Sequence, residues 1–350
     1  IAGNPCTAPA MLGNTCVWKP ASTSVPSGYW LMKMFEAAGL PPGVINFVPG
    51  SGATVGDPVF ADPRLAGVHF TGSTGVFQNI WKTIGNKIHA YRQYPRLVGE
   101  TGGKDFVFAH PSAEREALAV ALVRGAFEYQ GQKCSAASRA YVPKSLWGDV
   151  RDRMAAAMAE MRMGDVRDFR NFVGAVIDGK SFAKQKAAID GARASKDAEV
   201  VLGGECDDSA GWFVQPTVIQ ARVPNYTTMC EELFGPVLTV HVYDDGKVDD
   251  ALEACANGSE YGLTGAVFAQ DRAAVKHATD VLRFAAGNFY VNDKPTGAVV
   301  GQQPFGGSRA SCTNDKAGSI LNLVRWVSPR TIKETLVPPT DWRYPFMDEA

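Results

Sequence analysis

Cys134 follows a Gly131-Gln132-Lys133 loop and precedes Ser135, a polar setting beside a cation. A thiol so placed ionises below its usual pKa of about 8.5 and becomes a nucleophile. Glu100 stands in Val98-Gly99-Glu100-Thr101-Gly102-Gly103, bracketed by small and apolar residues and next to a mobile Gly pair. Desolvation there raises a carboxyl pKa toward that of a useful general base. Gly50, Gly52 and Gly56 form G-x-G-x-x-x-G between a strand-like and a helix-like run, with Val55 where the usual fingerprint has its third glycine. Such glycines permit a tight turn and bring a dinucleotide phosphate to the free N–H groups of a helix start. Phe70-Thr71-Gly72-Ser73-Thr74 is a second junction of this kind, where the Ser73 hydroxyl can bond a pyrophosphate. Each feature also has a plainer reading: an inert buried thiol, a solvated charge, a turn, a helix cap. Taken singly, the residues leave both readings open.

Other chemistries find less support. The seven cysteines are scattered without a Cys-x-x-Cys pair, and the five histidines lack metal-ligand spacing. Neither a disulfide framework nor a metal site is expected, and a reducing compartment is. With 35 basic and 36 acidic residues, no net field attracts nucleic acid or an anionic membrane. No apolar run approaches the roughly 20 residues of a spanning helix. A small-molecule partner is the remaining expectation. The chain opens on Ile1 as if in mid-sequence, so an N-terminal part is expected to be missing and no targeting signal is readable.

These residues need elements to hold them. Residues 15–18, 44–48 and 67–70 read as strands, with helices predicted over 29–38 (started by Ser24 and Pro26, stopped by Gly39), after Gly52, and after Ser73 through Trp81. Strand, glycine turn and helix in succession make a parallel α/β sheet. Past Phe106 the pattern restarts. Pro111-Ser112 is the expected cap of a helix running to about Tyr129, followed by a strand at 139–142. Leu146, Val150, Met154, Met158 and Met161 then mark one face of a further helix. Later strands are expected at 213–216, 237–242 and 265–268, and the lobes should meet near Gly102-Gly103.

In chain order, Trp18-Lys19-Pro20, the segment from Phe70 to Thr74, Glu100-Thr101-Gly102-Gly103-Lys104, Gly131-Gln132-Lys133-Cys134, Glu232-x-Phe234-Gly235-Pro236 and Pro304-Phe305-Gly306-Gly307 resemble the motifs of the aldehyde dehydrogenase superfamily over nearly the whole chain. The runs from Phe127 to Ala136, Ala286 to Lys294, Val300 to Phe305 and Thr313 to Gly318 are similar to its Δ1-pyrroline-5-carboxylate dehydrogenase branch, which oxidises L-glutamate γ-semialdehyde to glutamate in proline catabolism. The resemblance implies an aldehyde dehydrogenase-like α/β fold: a partial Rossmann-type NAD-binding domain at 1–102, an α/β catalytic domain at 103–310, and a C-terminal segment at 311–350 that returns to the cofactor domain and carries an oligomerisation strand at 330–337.

It implies NAD as cofactor, no metal, a homodimer or larger assembly, and a cytoplasmic protein (mitochondrial matrix if eukaryotic). Cys134 would form a thiohemiacetal and then a thioester, which a water activated by Glu100 hydrolyses. Lys19 and Glu232 resemble the residues on the two riboses, Ser73 the pyrophosphate contact and Phe234 the wall of the nicotinamide ribose. Ser22 occupies the place, three after the lysine, where the family often has an acid on the adenine ribose. Ser135, Gly297 and Ala298 would receive the substrate carboxylate, and Phe305 would wall its aliphatic part. The family's oxyanion asparagine should fall before Ile1, and Asn4 does not match it. Cys312 replaces a family glycine, which strains the backbone if the position needs positive φ.

Overall fold

A computed structural model describes residues 1–299 and 301–347; Val300, which opens one of the stretches above, lies outside them. Four short strands come first: β1 (Cys16–Trp18), β2 (Ile45–Phe47), β3 (Gly67–Thr71) and β4 (Arg96–Glu100). They alternate with α1 (Gly3–Met11), α2 (Val25–Ala37), α3 (Gly52–Ala61) and α4 (Thr74–Asn86). β1 pairs with β2 and β3 with β4, both parallel. Ser24 and Pro26 do start α2, and Gly39 follows it with φ +91. The last of these helices runs past Trp81 to Asn86 because Phe77, Ile80 and Ile84 continue a buried stripe against Leu97.

The chain then enters a larger sheet. Its strands are β5 (Asp105–Ala109), β6 (Ala137–Pro143), β7 (Ala198–Leu202), β10 (Thr217–Ala221), β11 (Val237–Tyr243), β13 (Thr264–Phe268) and β14 (Asn288–Val291), while β8 (Cys206–Asp207) with β9 (Phe213–Val214), and β12 (Tyr261–Gly262) with β15 (Ser308–Arg309), form small pairs outside it. The order is β14-β13-β5-β6-β11-β10-β7, parallel except for the antiparallel edge strand β7. Alternate residues of β5 serve opposite faces: Val107 and Ala109 pack in the cluster of α5 (Arg115–Phe127) and α6 (Lys144–Glu160). Phe106 and Phe108 pack in that of α9 (Val248–Asn257) and α10 (Arg272–Val281). A sheet covered on both faces explains the continuous apolar runs.

The structure corrects several expectations. The cap of α5 is Glu114, whose carboxylate accepts the Glu116 and Ala117 N–H groups; Ser112 instead accepts from Gln270 and Asp271. That helix stops at Phe127, because Tyr129, Gln130 and Gly131 turn left-handed in succession, with φ of 55, 57 and 62. The strand expected at 213–216 is only Phe213–Val214, and the longer β10 follows it. Cys312 has no positive φ, so the strain anticipated there does not arise. Its backbone instead bridges Glu100 in antiparallel fashion. Residues 330–337 form no strand within the chain and are exposed throughout.

The segment before them does return to β3 and β4. Thr313 and Gly99 exchange backbone and hydroxyl hydrogen bonds, Arg96 Nη1 donates to the Arg325 carbonyl at 2.5 Å, and the Trp326 ring lies 5.2 Å from that of His69.

Candidate active site

The four residues between β4 and β5 carry the site from one sheet to the other. Gly102 and Gly103 are buried, and neither has room for a side chain. A Cβ on Gly102 would meet Glu232 Oε2 at 2.6 Å and the Tyr261 ring at 2.9 Å. One on Gly103 would overlap the Cys134 carbonyl oxygen and Asp105 Oδ2. The glycines are therefore required by close approach of the nucleophile loop on one side and the Glu232 loop on the other. Glu232 Oε1 accepts the Gly103 N–H at 2.8 Å, and the Glu232 carbonyl accepts from Lys184 Nζ at 2.5 Å.

Cys134 lies on the loop between the left-handed turn and β6. Gly131 there has φ +62, and a Cβ would strike the Gly235 carbonyl. Burial comes first in pushing the Cys134 thiol up to about 12, and the nearby Asp105, Glu100 and Glu232 push the same way. This reverses the expectation of a thiol acidified by Lys133. Lys133 is committed elsewhere, 2.9 Å from Glu128. Glu100 ends β4, and burial pushes its carboxyl up to about 7. The structure thus brings Cys134, Glu100 and Glu232 into one desolvated neighbourhood, a buried thiol near a carboxyl that can exchange a proton near neutrality.

The cofactor candidates fall in two groups. Ser73 is the cap position of α4, yet its hydroxyl makes no capping bond. It lines a cleft of about 320 Å³ with Thr74, Lys184, Glu232 and Tyr261. Lys19 Nζ donates to the Pro20 carbonyl at 2.6 Å and the Gly50 carbonyl at 3.5 Å, which joins β1 to the glycine turn. Ser51, between Gly50 and Gly52, caps α3 through the Thr54 N–H, and nothing lies within 4 Å of where a Gly52 Cβ would be. Gly56 sits one turn on, against Phe60, and Ser22 is exposed on a single 3₁₀ turn. An open helix start, an uncapped hydroxyl and an amine met only by carbonyl oxygens fit a dinucleotide. Phe234 is left-handed, at φ 60, and 40% exposed.

Of the substrate candidates, Ser135 is joined to the loop of Gly297 and Ala298, while Phe305 lies on a separate bridge. Ser135 Oγ is 2.8 Å from Thr296 Oγ1, and Gly297 follows with φ +84 and Ala298 beside it. Phe305 pairs with Ala317 as an isolated antiparallel bridge. Motif reading missed the charged groups behind this surface. Lys104 and Asp105 are each 2% exposed and Arg139 is 1% exposed. Burial lowers Lys104 to about 7 and raises Asp105 to about 8. The only sequence signal for them was a charged pair opening an otherwise apolar strand.

The model of the aldehyde dehydrogenase family matches residues 3–331. The chain belongs to that family. Within the family it is similar to the mitochondrial Δ1-pyrroline-5-carboxylate dehydrogenase of Dictyostelium discoideum, at 56% identity over 349 residues, and to the human one, at 48%. Each match covers 99% of this chain and 62% of the relative, so the chain spans under two thirds of the length of these curated relatives. The crystal structure of the Mycobacterium tuberculosis enzyme bound with NAD superimposes with a TM-score of 0.93 at 57% identity, covering 99% of this chain and 63% of that one. The aldehyde dehydrogenase fold is therefore shared. Among the described residues no group of side chains could hold a metal ion, and no helix is long and apolar enough to cross a membrane.

Proposed function

We propose that the protein containing this chain oxidises L-glutamate γ-semialdehyde, formed from Δ1-pyrroline-5-carboxylate, to L-glutamate in proline catabolism, with NAD as cofactor. The carrying observation is the convergence of Cys134 with Glu100, whose carboxyl titrates near neutrality. The similarity to relatives named for this reaction supports the substrate.

Cys134 attacks the aldehyde carbon as its proton leaves, and its own backbone N–H steadies the oxyanion of the thiohemiacetal. Lys19, Ser22, the Gly50, Gly52 and Gly56 turn, Ser73, Glu232 and Phe234 would hold NAD, which would supply the hydride acceptor for oxidation of this adduct to a thioester. Glu100 as carboxylate then takes a proton from water, which hydrolyses the thioester and frees Cys134. Burial keeps Cys134 protonated at rest, so Glu100 is also the available acceptor for its proton. Ser135 with the Gly297 and Ala298 backbone receives the α-carboxylate, and Phe305 excludes water from the chain between.

Residues 1–102 act as the cofactor lobe, 103–310 as the catalytic lobe and 311–350 as the segment that docks back. Residues 330–337, exposed and without a partner strand in this chain, add an edge strand in a homodimer or larger assembly. The working compartment is the cytoplasm, or the mitochondrial matrix in a eukaryote, and the Dictyostelium and human relatives are named as mitochondrial. The test is NADH formation by the full-length protein with pyrroline-5-carboxylate and with a simple aliphatic aldehyde, alongside Cys134→Ala. Cys134-dependent turnover favouring pyrroline-5-carboxylate is expected; equal rates on both substrates would overturn the substrate assignment.

A further inference from the structure

Asp105 opens β5 directly behind the nucleophile. Its Oδ1 accepts the Thr264 N–H at 2.6 Å. Among the described residues Oδ2 is buried and finds no hydrogen-bond partner, although the Thr264 hydroxyl lies close enough to the carboxyl to favour its ionised form. A Cβ on Gly103 would overlap both Asp105 Oδ2 and the Cys134 carbonyl oxygen, so the two oxygens crowd the same point beside Gly103. As a carboxylate, Oδ2 could only accept, as a carbonyl oxygen does; a carboxylic acid can donate.

The charges around Asp105 do not supply the missing bond. Arg139 Nε donates to the Lys104 carbonyl at 2.8 Å, its Nη1 approaches the Tyr141 hydroxyl at 3.4 Å, and the guanidinium lies over the Phe106 and Tyr141 rings. Lys104 Nζ is directed to the Ser138 carbonyl at 3.4 Å. Glu232 and Cys134 carry or acquire negative charge nearby, and the Tyr290 hydroxyl makes no hydrogen bond to Asp105. An ionised carboxyl in this place would be buried, unbonded by any cation, and next to the sulfur that must become a thiolate.

We propose that Asp105 works as a neutral carboxylic acid whose Oδ2–H donates to the Cys134 backbone carbonyl, positioning the nucleophile without setting a negative charge beside it. The burial that pushes the Asp105 carboxyl up to about 8 agrees with this state at neutral pH. Asp105 is then a positioning residue. Its loss of a proton at alkaline pH removes the bond and opposes thiolate formation together. The inference rests on Cys134 being the nucleophile, but its test does not need turnover.

Asparagine is the matching mimic: its oxygen accepts from Thr264, its amide donates to Cys134, and it never ionises. In the full-length protein, Asp105→Asn should abolish a carboxylic-acid carbonyl band in the infrared spectrum at neutral pH. Iodoacetamide labelling of Cys134, read on its peptide by mass spectrometry, should match wild type within about twofold at neutral pH. At alkaline pH the wild type should fall behind the variant. An unchanged band, or labelling accelerated about tenfold at neutral pH by removal of a charge, would overturn the proposal. If the variant does not fold, the band is sought in Glu100→Gln protein through its loss on alkaline titration, and its absence there overturns the proposal equally.

Discussion

Glu232 Oε1 accepts the Gly103 N–H at 2.8 Å, so a carboxylate from the loop before β11 is tied to the turn that joins the two sheets. That turn has no room for a side chain. Gly103→Ala would drive a methyl group into the Cys134 carbonyl, which is backbone and cannot rotate aside. The expected cost is about 3 kcal/mol of stability together with loss of most turnover. Thermal unfolding and NADH formation measured on the same preparation check this; an alanine variant with wild-type turnover would show the packing to be looser than described.

Glu100 sets a second expectation, for pH dependence. A general base acts as its carboxylate, and burial has moved this one up to about 7. Thioester hydrolysis should therefore rise about tenfold per pH unit below neutrality and level off above it. Glu100→Gln should remove that limb and slow steady turnover far below wild type. Rapid-mixing traces should show whether hydrolysis carries the limb: retention of the same acid limb in the variant would assign it to another group.

The fold was legible where chemistry is punctuated by glycine, proline and apolar period, as at Ser24, Gly39 and the Leu146, Val150 and Met154 stripe. The burial of Glu100 was legible too, because its neighbours are small or apolar. The acidity of Cys134 was not. Its sequence neighbour Lys133 suggested a stabilised thiolate, but Glu128 takes that cation, while Asp105 arrives on β5 and Glu232 on the loop before β11. Electrostatics sums over space, and one sequence window holds only part of the sum. The same limit hid Arg139, which looks like an exposed strand start until Phe106 and Tyr141 close over it. Residues 330–337 read as a strand for oligomerisation, and within the chain they pair with no sheet edge, since a strand exists only with a partner.

His69 predicts acid sensitivity in the docking of the C-terminal segment. Burial lowers its pKa from 6.5 to about 4, and its ring packs beside that of Trp326. The folded protein holds the neutral ring, whereas the unfolded chain binds a proton below 6.5. Stability from this group is thus present above 6.5 and is lost as pH falls through the folded value near 4. The full effect is about 3 kcal/mol. His69→Phe, which keeps the ring contact without a titrating nitrogen, should flatten the decline in unfolding temperature over this range. An unchanged decline would place the acid-sensitive group elsewhere.

Glu128 links the Lys133-Cys134 loop to the segment of Lys294. It lies 2.9 Å from Arg124 and from Lys133, and 4.0 Å from Lys294. Burial raises its carboxyl, but the Lys133 and Arg124 hydrogen bonds outweigh that and hold it below its ordinary value. Lys294 Nζ donates to the Thr296 carbonyl at 3.1 Å, and Thr296 Oγ1 meets Ser135 Oγ at 2.8 Å, so the connection closes on the residue after the nucleophile. Glu128→Ala leaves two ammonium groups unpaired and loosens the Gly297 turn, since Lys294 Nζ sits 2.9 Å from where a Gly297 Cβ would be. A substrate that needs that turn for its carboxylate should suffer a rise in KM of about tenfold, while a simple aldehyde is little affected. The freed Lys133 should also make Cys134 more acidic, so its labelling by iodoacetamide should quicken at neutral pH. Both effects follow from one broken link, and an equal rise in KM for the two substrates would show that Glu128 supports the loop in general and not the carboxylate site.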